Sequence, residues 1–413
     1  MSSPQAHAER SQRPKHTICV LCLLSIVVLG CRPASPTPEP VTISFAHPAT
    51  ETAYYEALGA QFSQDHPQIT IRLEAKSIVE LDDIANITGS DAFVVYPQTQ
   101  LADLLGQEAL LDLASMIEQD ADVDLSDMHP DAVELCTVDG HIVVVPASID
   151  LVVMYYNLDL FDNYAVPYPE IGWTWEDLRE RAVALRDRDA EVYGYGSEAF
   201  LALLVVYQHG GQIVDDWRNP SRTTFDDPLV IEAVQWYADL IHKHEAASPL
   251  QAFRSPQEGW LYAKVAMAAF TVSERGGPSG SGWAQEWPMR WGMVPLPRDQ
   301  LPATLATLEG YGISSETDHP DACWQWVKYL SQQMPLRSIP IRSVIRESAA
   351  YREQVGPEVA AVVQAAMAED AVLVFVQNQE LLARFIQSVV PVLAGQATAQ
   401  EALLQAQQQS PLK

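Results

Sequence analysis

The order of apolar and polar residues predicts alternating strands and helices from residue 41 onwards. Val41 to Phe45 has the β-branched alternation of a strand, and Glu51 to Ser63 places apolar residues at helical spacing. Ile69 to Leu73 predicts a second strand, and Ala92 to Tyr96 predicts a third after another helix. Alternating strands and helices favour a mostly parallel sheet covered by helices, so we predict an α/β protein.

Farther along the chain, two more strands are predicted at His141–Pro146 and Leu151–Tyr156, with residues 147–150 between them. Thr174 predicts the start of a helix, because it can cap the first turn with Asp177 as its acidic partner. Ligands of sheets of this kind bind beyond the carboxyl ends of the strands. The loops after the first and third strands are therefore the first places to look for a binding site.

The first forty residues have a different pattern. Arg10, Arg13 and Lys15 precede the apolar run Thr17–Gly30, whose 14 residues are fewer than the roughly 20 that a membrane-spanning helix needs. A positive segment followed by a short apolar run is typical of a secretory signal, so residues 1–30 are predicted to be a signal peptide.

The end of that run resembles a bacterial lipobox, Val28-Leu29-Gly30-Cys31, in which the signal is cut before a cysteine that carries acyl chains. Four prolines follow between Arg32 and Pro40, and they predict an extended spacer without a packed core. Residues 31–40 are therefore predicted to be a lipid-anchored, proline-rich tether. The alternative is an ordinary signal peptide with an incidental cysteine.

Composition narrows the possible functions. The formal net charge of −29 argues against nucleic acid as a partner and against a polybasic membrane patch. Cys136 and Cys323 lie in apolar stretches and are expected to be buried free thiols rather than a disulfide framework. The sequence has no nucleophile elbow, Walker loop or GxGxxG motif. We therefore predict no catalytic residues, no cofactor and no metal site.

Seven segments, in order over nearly all of residues 41–410, resemble the extracellular solute-binding proteins of ABC importers, family 1, the group that includes maltose-binding proteins. The segments are YYEALGAQFSQDHPQITIRLE, DGHIVVVPASIDLVVMYYNLDLF, VPYPEIGWTWEDLRERAVAL, DDPLVIEAVQWYADLIHK, EGWLYAKVAMAAF, LEGYGISSETDHPDACWQWVKYLS and AGQATAQEALLQA. No segment is decisive alone, but their order is a specific signal.

The resemblance implies a two-lobed periplasmic-binding-protein-like fold of type II, with a ligand cleft between the lobes. Lobe one is expected at residues 41–149 and 309–352, and lobe two at residues 150–308 and 353–413. The implied function is that of a substrate-binding lipoprotein, which captures a small solute and delivers it to the importer without chemistry. The alternatives are a lipid-tethered secreted hydrolase and a ligand-sensing adaptor for a membrane receptor.

Carbohydrate-binding members of this group stack sugar faces on aromatic rings and hold hydroxyl groups with carboxylates and amides. By resemblance, Asp150 matches a hydroxyl-binding acid, Glu198 and Phe200 match an acid and an aromatic of lobe two, and Gln100 falls near another acid. The predicted ligand-binding residues are His47, Tyr96, Gln100, Asp150, Glu198, Phe200, Ser273, Glu274 and Tyr311.

The chain also departs from the sugar-binding pattern. Ser273 and Pro97 stand where stacking aromatics are expected, and Leu382 replaces another, so only Phe200 remains of those platforms. A long maltodextrin is therefore not expected, although a carbohydrate stays favoured over phosphorylated glycerol compounds, peptides and polyamines.

The expected partners follow from the same resemblance. They are the solute, the membrane subunits of the importer, and the lipid bilayer through acylated Cys31. The protein is expected to be a monomer in the cell envelope, facing outside the cytoplasm.

Overall fold

A computed structural model describes residues 39–217, 219–277, 285–368, 370–410 and 412. The predicted signal peptide, Cys31 and the tether up to residue 38 lie outside the described residues. Glu39 and Pro40, which follow, have no regular secondary structure.

The strands of the described residues are short except for two, β6 and β10, which have 13 and 11 residues. They are β1 (Val41–Pro48), β2 (Ile69–Lys76), β3 (Ala92–Val95), β4 (Thr137–Val138), β5 (His141–Ile142), β6 (Val145–Asn157), β7 (Tyr193–Tyr195), β8 (Val265–Thr271), β9 (Trp291–Val294), β10 (Ala303–Ile313), β11 (Ile339–Pro340) and β12 (Val372–Val374).

Helices alternate with these strands. They are α1 (Thr52–Asp65), α2 (Ile78–Asp82), α3 (Pro97–Gly106), α4 (Ala114–Gln119), α5 (Pro130–Leu135), α6 (Leu158–Asn163), α7 (Trp175–Ala184), α8 (Leu201–Gln208), α9 (Pro228–His242), α10 (Pro256–Leu261), α11 (Pro320–Ser331), α12 (Ser343–Arg346), α13 (Ala349–Val355), α14 (Pro357–Ala366), α15 (Gln379–Leu393) and α16 (Ala399–Gln408). Short 3-10 helices occur at Ala49–Glu51, Ile84–Asn86, Leu125–Asp127 and Val272–Glu274.

The main sheet has the strand order β2-β1-β3-β10-β6-β8-β7. β1 is parallel to β2 and β3, and β7 is parallel to β8, whereas β10 is antiparallel to β3 and β6, and β6 is antiparallel to β8. The prediction of a mostly parallel sheet therefore holds only for the outer strands. These antiparallel pairs all involve the long strands β6 and β10. The two long strands lie between a first section of the sheet, formed by β2, β1 and β3, and a second section, formed by β8 and β7.

The two long strands each belong to both sections. β10 pairs with β3 through Gly310–Ile313 and with β6 through Ala306–Tyr311. β6 continues past this ladder, and its residues Val152–Tyr156 pair with β8. The ladder between β6 and β10 thus joins the first section of the sheet to the second.

The prediction of two strands separated at residues 147–150 is wrong, because β6 runs without interruption through that segment. Pro146 lies inside this strand, although proline cannot donate a ladder hydrogen bond. The structure places Pro146 opposite Gly310, where the register shifts between Glu309 and Gly310. Such a bulge leaves one residue unpaired, and Ile341 satisfies the extra carbonyl by donating its N–H to the Ala147 oxygen at 3.1 Å.

Local signals predicted several other elements correctly. Thr174 and Asp177 form the expected capping box: the Thr174 hydroxyl accepts the Asp177 N–H at 3.3 Å, and Asp177 accepts the Thr174 N–H at 3.0 Å. β1, however, continues three residues beyond the predicted end at Phe45. That extension places His47 inside the strand rather than in a loop.

Aromatic side chains fill the core on both sides of the sheet. Phe45 and Tyr55 pack with ring centroids 5.2 Å apart beneath α1. Under β6, the rings of Tyr155 and Trp287 meet edge to face at 4.8 Å, and Trp260 packs on Trp287 at 5.2 Å. These fully or nearly fully buried rings support the strands that carry the candidate site.

Cys136 and Cys323 are buried and free, as predicted. Burial raises the pKa of both thiols, because the charged thiolate is poorly solvated there. None of the helices within the described residues is both long and apolar enough to cross a membrane.

Candidate ligand-binding site

A cavity of about 620 Å³ lies beside the ladder between β6 and β10. Four of the predicted residues line it, and they come from separate parts of the chain: Tyr96, Asp150, Ser273 and Tyr311. The other lining residues are Thr50, Glu51, Tyr54, Ala147, Ser148, Thr307, Glu309, Leu330, Gln333, Pro335, Leu336, Arg337 and Ser338.

Asp150 lies in β6 directly opposite Thr307 of β10. Its Oδ1 atom accepts hydrogen bonds from the Leu151 N–H at 3.1 Å and the Ser273 N–H at 3.0 Å. Burial raises the pKa of the Asp150 carboxyl, although the hydrogen bonds from Ser273 oppose that change. The carboxylate therefore ties β6 to the segment after β8 as well as facing the cavity.

Glu274 lies one residue beyond Ser273, in the 3-10 helix that follows β8. Its carboxylate accepts the Thr271 N–H at 2.9 Å and the Thr271 hydroxyl at 3.3 Å. These bonds form a capping box, which is a structural use of the side chain. Ser273 lines the cavity, whereas Glu274 is not part of its wall.

Arg337 and Arg275 hold two separate chain segments together. The Arg337 guanidinium donates to the carbonyl oxygens of Ser273 and Arg275, and the Arg275 guanidinium donates in return to the Arg337 carbonyl. Burial is the main cause that lowers the pKa of Arg337, and the charge of Arg275 adds to the effect. Sequence reasoning missed Arg337, since the contact joins residues 62 positions apart.

Glu309 and Glu51 are carboxylates of the cavity that the sequence analysis did not single out. Burial and the nearby charge of Glu51 raise the pKa of Glu309 to about 8, while contact with the Tyr96 hydroxyl opposes the shift. Burial also raises the pKa of Glu51. The available sequence signal for Glu309 was its position between Leu308 and the Gly310-Tyr311 pair, in an otherwise apolar and β-branched strand.

Tyrosine side chains form much of the remaining wall. Tyr54 donates its hydroxyl to the Met334 carbonyl at 3.1 Å, and Tyr96 follows β3 at the end of the strand. Burial is the first cause that raises the pKa values of Tyr54, Tyr96 and Tyr311, and the charge of Glu309 contributes in each case. All three hydroxyl groups therefore stay protonated at neutral pH and can donate hydrogen bonds.

Two predicted residues lie behind the wall rather than in it. His47 is fully buried, with its Nδ1 atom 2.9 Å from the Pro48 carbonyl and its ring packed on Tyr55 at 5.0 Å. Burial lowers the pKa of His47. Gln100 donates to the Leu81 carbonyl at 2.6 Å and accepts the Tyr96 N–H at 2.7 Å. Gln100 thus positions the backbone of a residue that does line the cavity.

Glu198 and Phe200 lie before α8, outside the wall of the cavity. The Tyr237 hydroxyl contacts the backbone N–H of Glu198 at 2.9 Å, and burial with the charge of Glu274 raises the pKa of the Glu198 carboxyl to about 7. Phe200 is partly buried against the core of α8 and α9. Among the described residues, no group of three His, Cys, Asp or Glu side chains is arranged to hold a metal ion.

Comparison with known proteins identifies similar chains. Residues 48–333 match the family described as bacterial extracellular solute-binding protein. The sugar-binding protein MalE from the phytopathogen Xanthomonas citri is 17% identical with a TM-score of 0.74, over 89% of this chain and 96% of that chain. A cyclic α-maltosyl-1,6-maltose binding protein from Arthrobacter globiformis is 20% identical with a TM-score of 0.72, over 89% of this chain and 97% of that chain.

A third similar structure is UgpB from Mycobacterium tuberculosis in complex with glycerophosphocholine. It is 17% identical with a TM-score of 0.68, over 89% of this chain and 97% of that chain. At these identities the likeness concerns the fold, and it confirms the predicted two-lobed α/β architecture. The boundaries of the two lobes and the ligand contacts of the nine candidate residues remain predictions.

Proposed function

The chain belongs to the bacterial extracellular solute-binding protein family, and we propose that it is the substrate-binding lipoprotein of an ABC importer. It captures a small solute, with a carbohydrate favoured, in the cavity beside β6 and β10. It then delivers the solute to the membrane subunits of the importer and carries out no chemistry on it.

The observation that carries this proposal is the position of the cavity. It adjoins the two strands that connect the sections of the sheet, and residues from β6, β10, the loop after β1 and the segment after α11 meet around it. Its volume of about 620 Å³ falls within the usual range of small-molecule sites, roughly 300–1,000 Å³. Hinge closure of two lobes brings such walls together around a ligand.

The chemistry of the wall favours a polyhydroxylated ligand. Tyrosine rings can cover the apolar face of a sugar, while the carboxyl groups of Asp150 and Glu309 and the hydroxyl of Ser148 can pair with its hydroxyl groups. Similar structures include a sugar-binding protein and a cyclic maltosyl-maltose binding protein, which supports the choice of a carbohydrate. The glycerophosphocholine complex keeps a glycerol phosphodiester as the second candidate.

The proposed location is the cell envelope, outside the cytoplasm. The supporting observations are the signal-like residues 1–30, the cysteine at position 31 and the proline-rich stretch before β1. Acyl chains on Cys31 together with the spacer hold the binding domain close to the membrane that contains the importer. Replacement Cys31→Ser is expected to move the protein from the membrane fraction to the soluble fraction.

Ligand screening tests the proposal directly. We expect one or more members of a panel of maltose, maltotriose, trehalose, lactose and glycerophosphocholine to raise the melting temperature, since a ligand at ~100 times its dissociation constant adds about 2.7 kcal/mol of stability. Tyr96→Ala should then weaken binding by about tenfold in calorimetric titration, because one good ring contact is worth roughly 1 kcal/mol. Tyr262→Ala is the matched control, since Tyr262 is 69% exposed and lies outside the cavity wall.

Two further readouts separate the alternatives. A lipid-tethered hydrolase would convert a bound glycoside to products during incubation, whereas a carrier returns it unchanged. A constitutive adaptor would keep the same radius of gyration in small-angle scattering, whereas a carrier becomes more compact at saturating solute. Turnover, or an unchanged radius together with saturated binding, contradicts the carrier proposal.

A further inference from the structure

Two acidic residues of the cavity wall, Glu51 and Glu309, are near enough to interact electrostatically. Glu51 is the last residue of the 3-10 helix after β1, and Glu309 lies in β10. The next residue of β10, Gly310, pairs with Val95, so Glu309 lies beside Tyr96 at the end of β3. Two carboxyl-bearing residues from distant parts of the chain thus line the same cavity and are partly shielded from water.

These two acids differ from the many acids on the surface of this strongly acidic chain. An exposed carboxylate is solvated, whereas a shielded one usually has a cationic partner. No described lysine or arginine lies within salt-bridge distance, 4.0 Å, of Glu51 or Glu309. The pair therefore consists of two shielded carboxyl groups without a described lysine or arginine partner to stabilise their charged forms.

The surrounding titratable groups do not supply the missing positive charge. Tyr54 and Tyr55 of α1, Tyr96 after β3 and Tyr311 of β10 are neutral, and Asp150 of β6 adds another acid. Arg337 is the one cationic residue among the described lining residues. Its guanidinium is already engaged by the carbonyl oxygens of Ser273 and Arg275.

The wall of the cavity also contains aromatic rings, which attract cations through their π electrons. Tyr54, Tyr96 and Tyr311 line it together with the two acids. Carboxylates beside tyrosine rings in a partly dry cavity are a known way to hold an ammonium group, and the cavity itself marks the place as a ligand site.

We propose that the solute carries a cationic amino group, which is held between Glu51 and Glu309 against the tyrosine rings. This inference rests on the proposed function, because it specifies the ligand class of the same cavity. An amino sugar and a polyamine share the required chemistry, and the test below distinguishes them.

Proton release accompanies such binding. Burial and the nearby charge of Glu51 raise the pKa of Glu309 to about 8, so this carboxyl holds its proton at pH 7 before an ammonium group binds. An ammonium group stabilises the ionised carboxylate, and the displaced proton passes to the buffer, or to the ligand amine where that amine arrives uncharged. A neutral sugar leaves that proton in place.

A matched pair of disaccharides isolates the charge. Chitobiose, with two free amino groups, and N,N′-diacetylchitobiose, with two neutral amides, are titrated calorimetrically at pH 7 in two buffers of different ionisation enthalpy, alongside spermidine. We expect chitobiose to bind at least about 10-fold more tightly than its acetylated form, as one charge-assisted hydrogen bond predicts. The heat of spermidine, whose amino groups are already protonated at pH 7, should differ between the buffers, and that of the acetylated sugar should not.

Variants assign the effect to the acidic pair. Glu309→Gln keeps the size and hydrogen-bonding capacity of the side chain but cannot ionise. The ratio of the affinity for chitobiose to that for its acetylated form should therefore fall to about 1. Glu51→Gln, in a separate chain segment, should cause the same loss of preference. Agreement between the two variants excludes a folding defect in one of them as the cause. Glu56→Gln, an exposed acid on α1, is the control and should keep the preference.

Each outcome decides the matter. Equal or tighter binding of the acetylated sugar overturns the inference and leaves the carbohydrate proposal intact. Binding of spermidine with neither disaccharide supports the amino group and contradicts the carbohydrate. If none of the three compounds binds, the inference is overturned, and the carbohydrate proposal then depends on the neutral panel alone.

Discussion

Asp150 of β6 and Glu309 of β10 lie in one ladder, two register positions apart, yet their carboxyl groups have opposite surroundings. Asp150 accepts backbone N–H groups from Leu151 and Ser273. Burial and then the nearby charge of Glu51 raise the pKa of Glu309, while contact with the Tyr96 hydroxyl opposes the shift. The comparison indicates that an acid in a cavity can stabilise the fold or be available to a ligand. The backbone hydrogen-bond donors around the carboxylate distinguish the two roles.

The largest effect on stability is expected from removal of the Asp150 carboxylate. Asp150→Ala leaves the N–H groups of Leu151 and Ser273 without their acceptor, and an unsatisfied buried group costs about 1–3 kcal/mol. The unliganded variant should therefore unfold at lower denaturant concentration than the wild type. Asp150→Asn keeps an acceptor oxygen and should recover most of the loss. If the alanine variant unfolds like the wild type while losing ligand affinity, the Asp150 carboxylate contacts the ligand rather than stabilising the fold.

Glu309→Gln is expected to change stability in the opposite direction, towards a more stable protein. Folding raises the pKa of Glu309 from 4.5 to about 8, so the native state holds its proton more tightly than the unfolded chain. The resulting stability is fully present below pH 4.5 and is lost as the pH rises to 8. Glutamine does not ionise, so at pH 8 the variant should be more stable on the order of 1 kcal/mol, a figure kept low because water enters the cavity.

Melting temperatures at pH 5, 6.5 and 8 check this prediction. The difference between Glu309→Gln and the wild type should grow with pH, and Glu56→Gln should show no such trend because its side chain is exposed. A difference that stays constant or shrinks as the pH rises would show that Glu309 is ionised and compensated in the native protein.

The smallest effect is expected from Tyr54→Phe. The change removes one neutral hydrogen bond, from the Tyr54 hydroxyl to the Met334 carbonyl, and should lower stability by about 0.5–1 kcal/mol. The ring stays in place, so the preference for a charged over a neutral disaccharide should be retained. Loss of that preference in a stable variant would mean that the hydroxyl, rather than the ring, contacts the ligand.

Local sequence patterns predicted the elements whose signals are local. The cap at Thr174 and the strand at residues 69–73 depend on neighbouring residues, and both are present. The continuity of β6 was missed because the bulge that accommodates Pro146 is formed with a strand more than 150 residues away. His47 was expected at a crevice, but β1 continues past it and buries it.

The candidate site was predicted in part for the same reason. Tyr96 could be placed at a strand end from the chain order and Asp150 by the family resemblance, and both line the cavity. Glu309 could be noticed as an acid within an apolar strand, but its neighbours in sequence do not show what surrounds its carboxyl group. Its character comes from the pairing of Gly310 with Val95 and from Glu51, which belongs to a different segment.

The bulge between Glu309 and Gly310 has a mechanical consequence. Bulges bend and twist a strand locally, and this one interrupts the ladder formed by the two strands that both sections of the sheet share. We expect the lobe closure that the proposed function requires to bend this ladder near the bulge, where Glu309 and Ser148 lie on the cavity wall. On that expectation, a solute that draws the two walls of the cavity together also bends the strands.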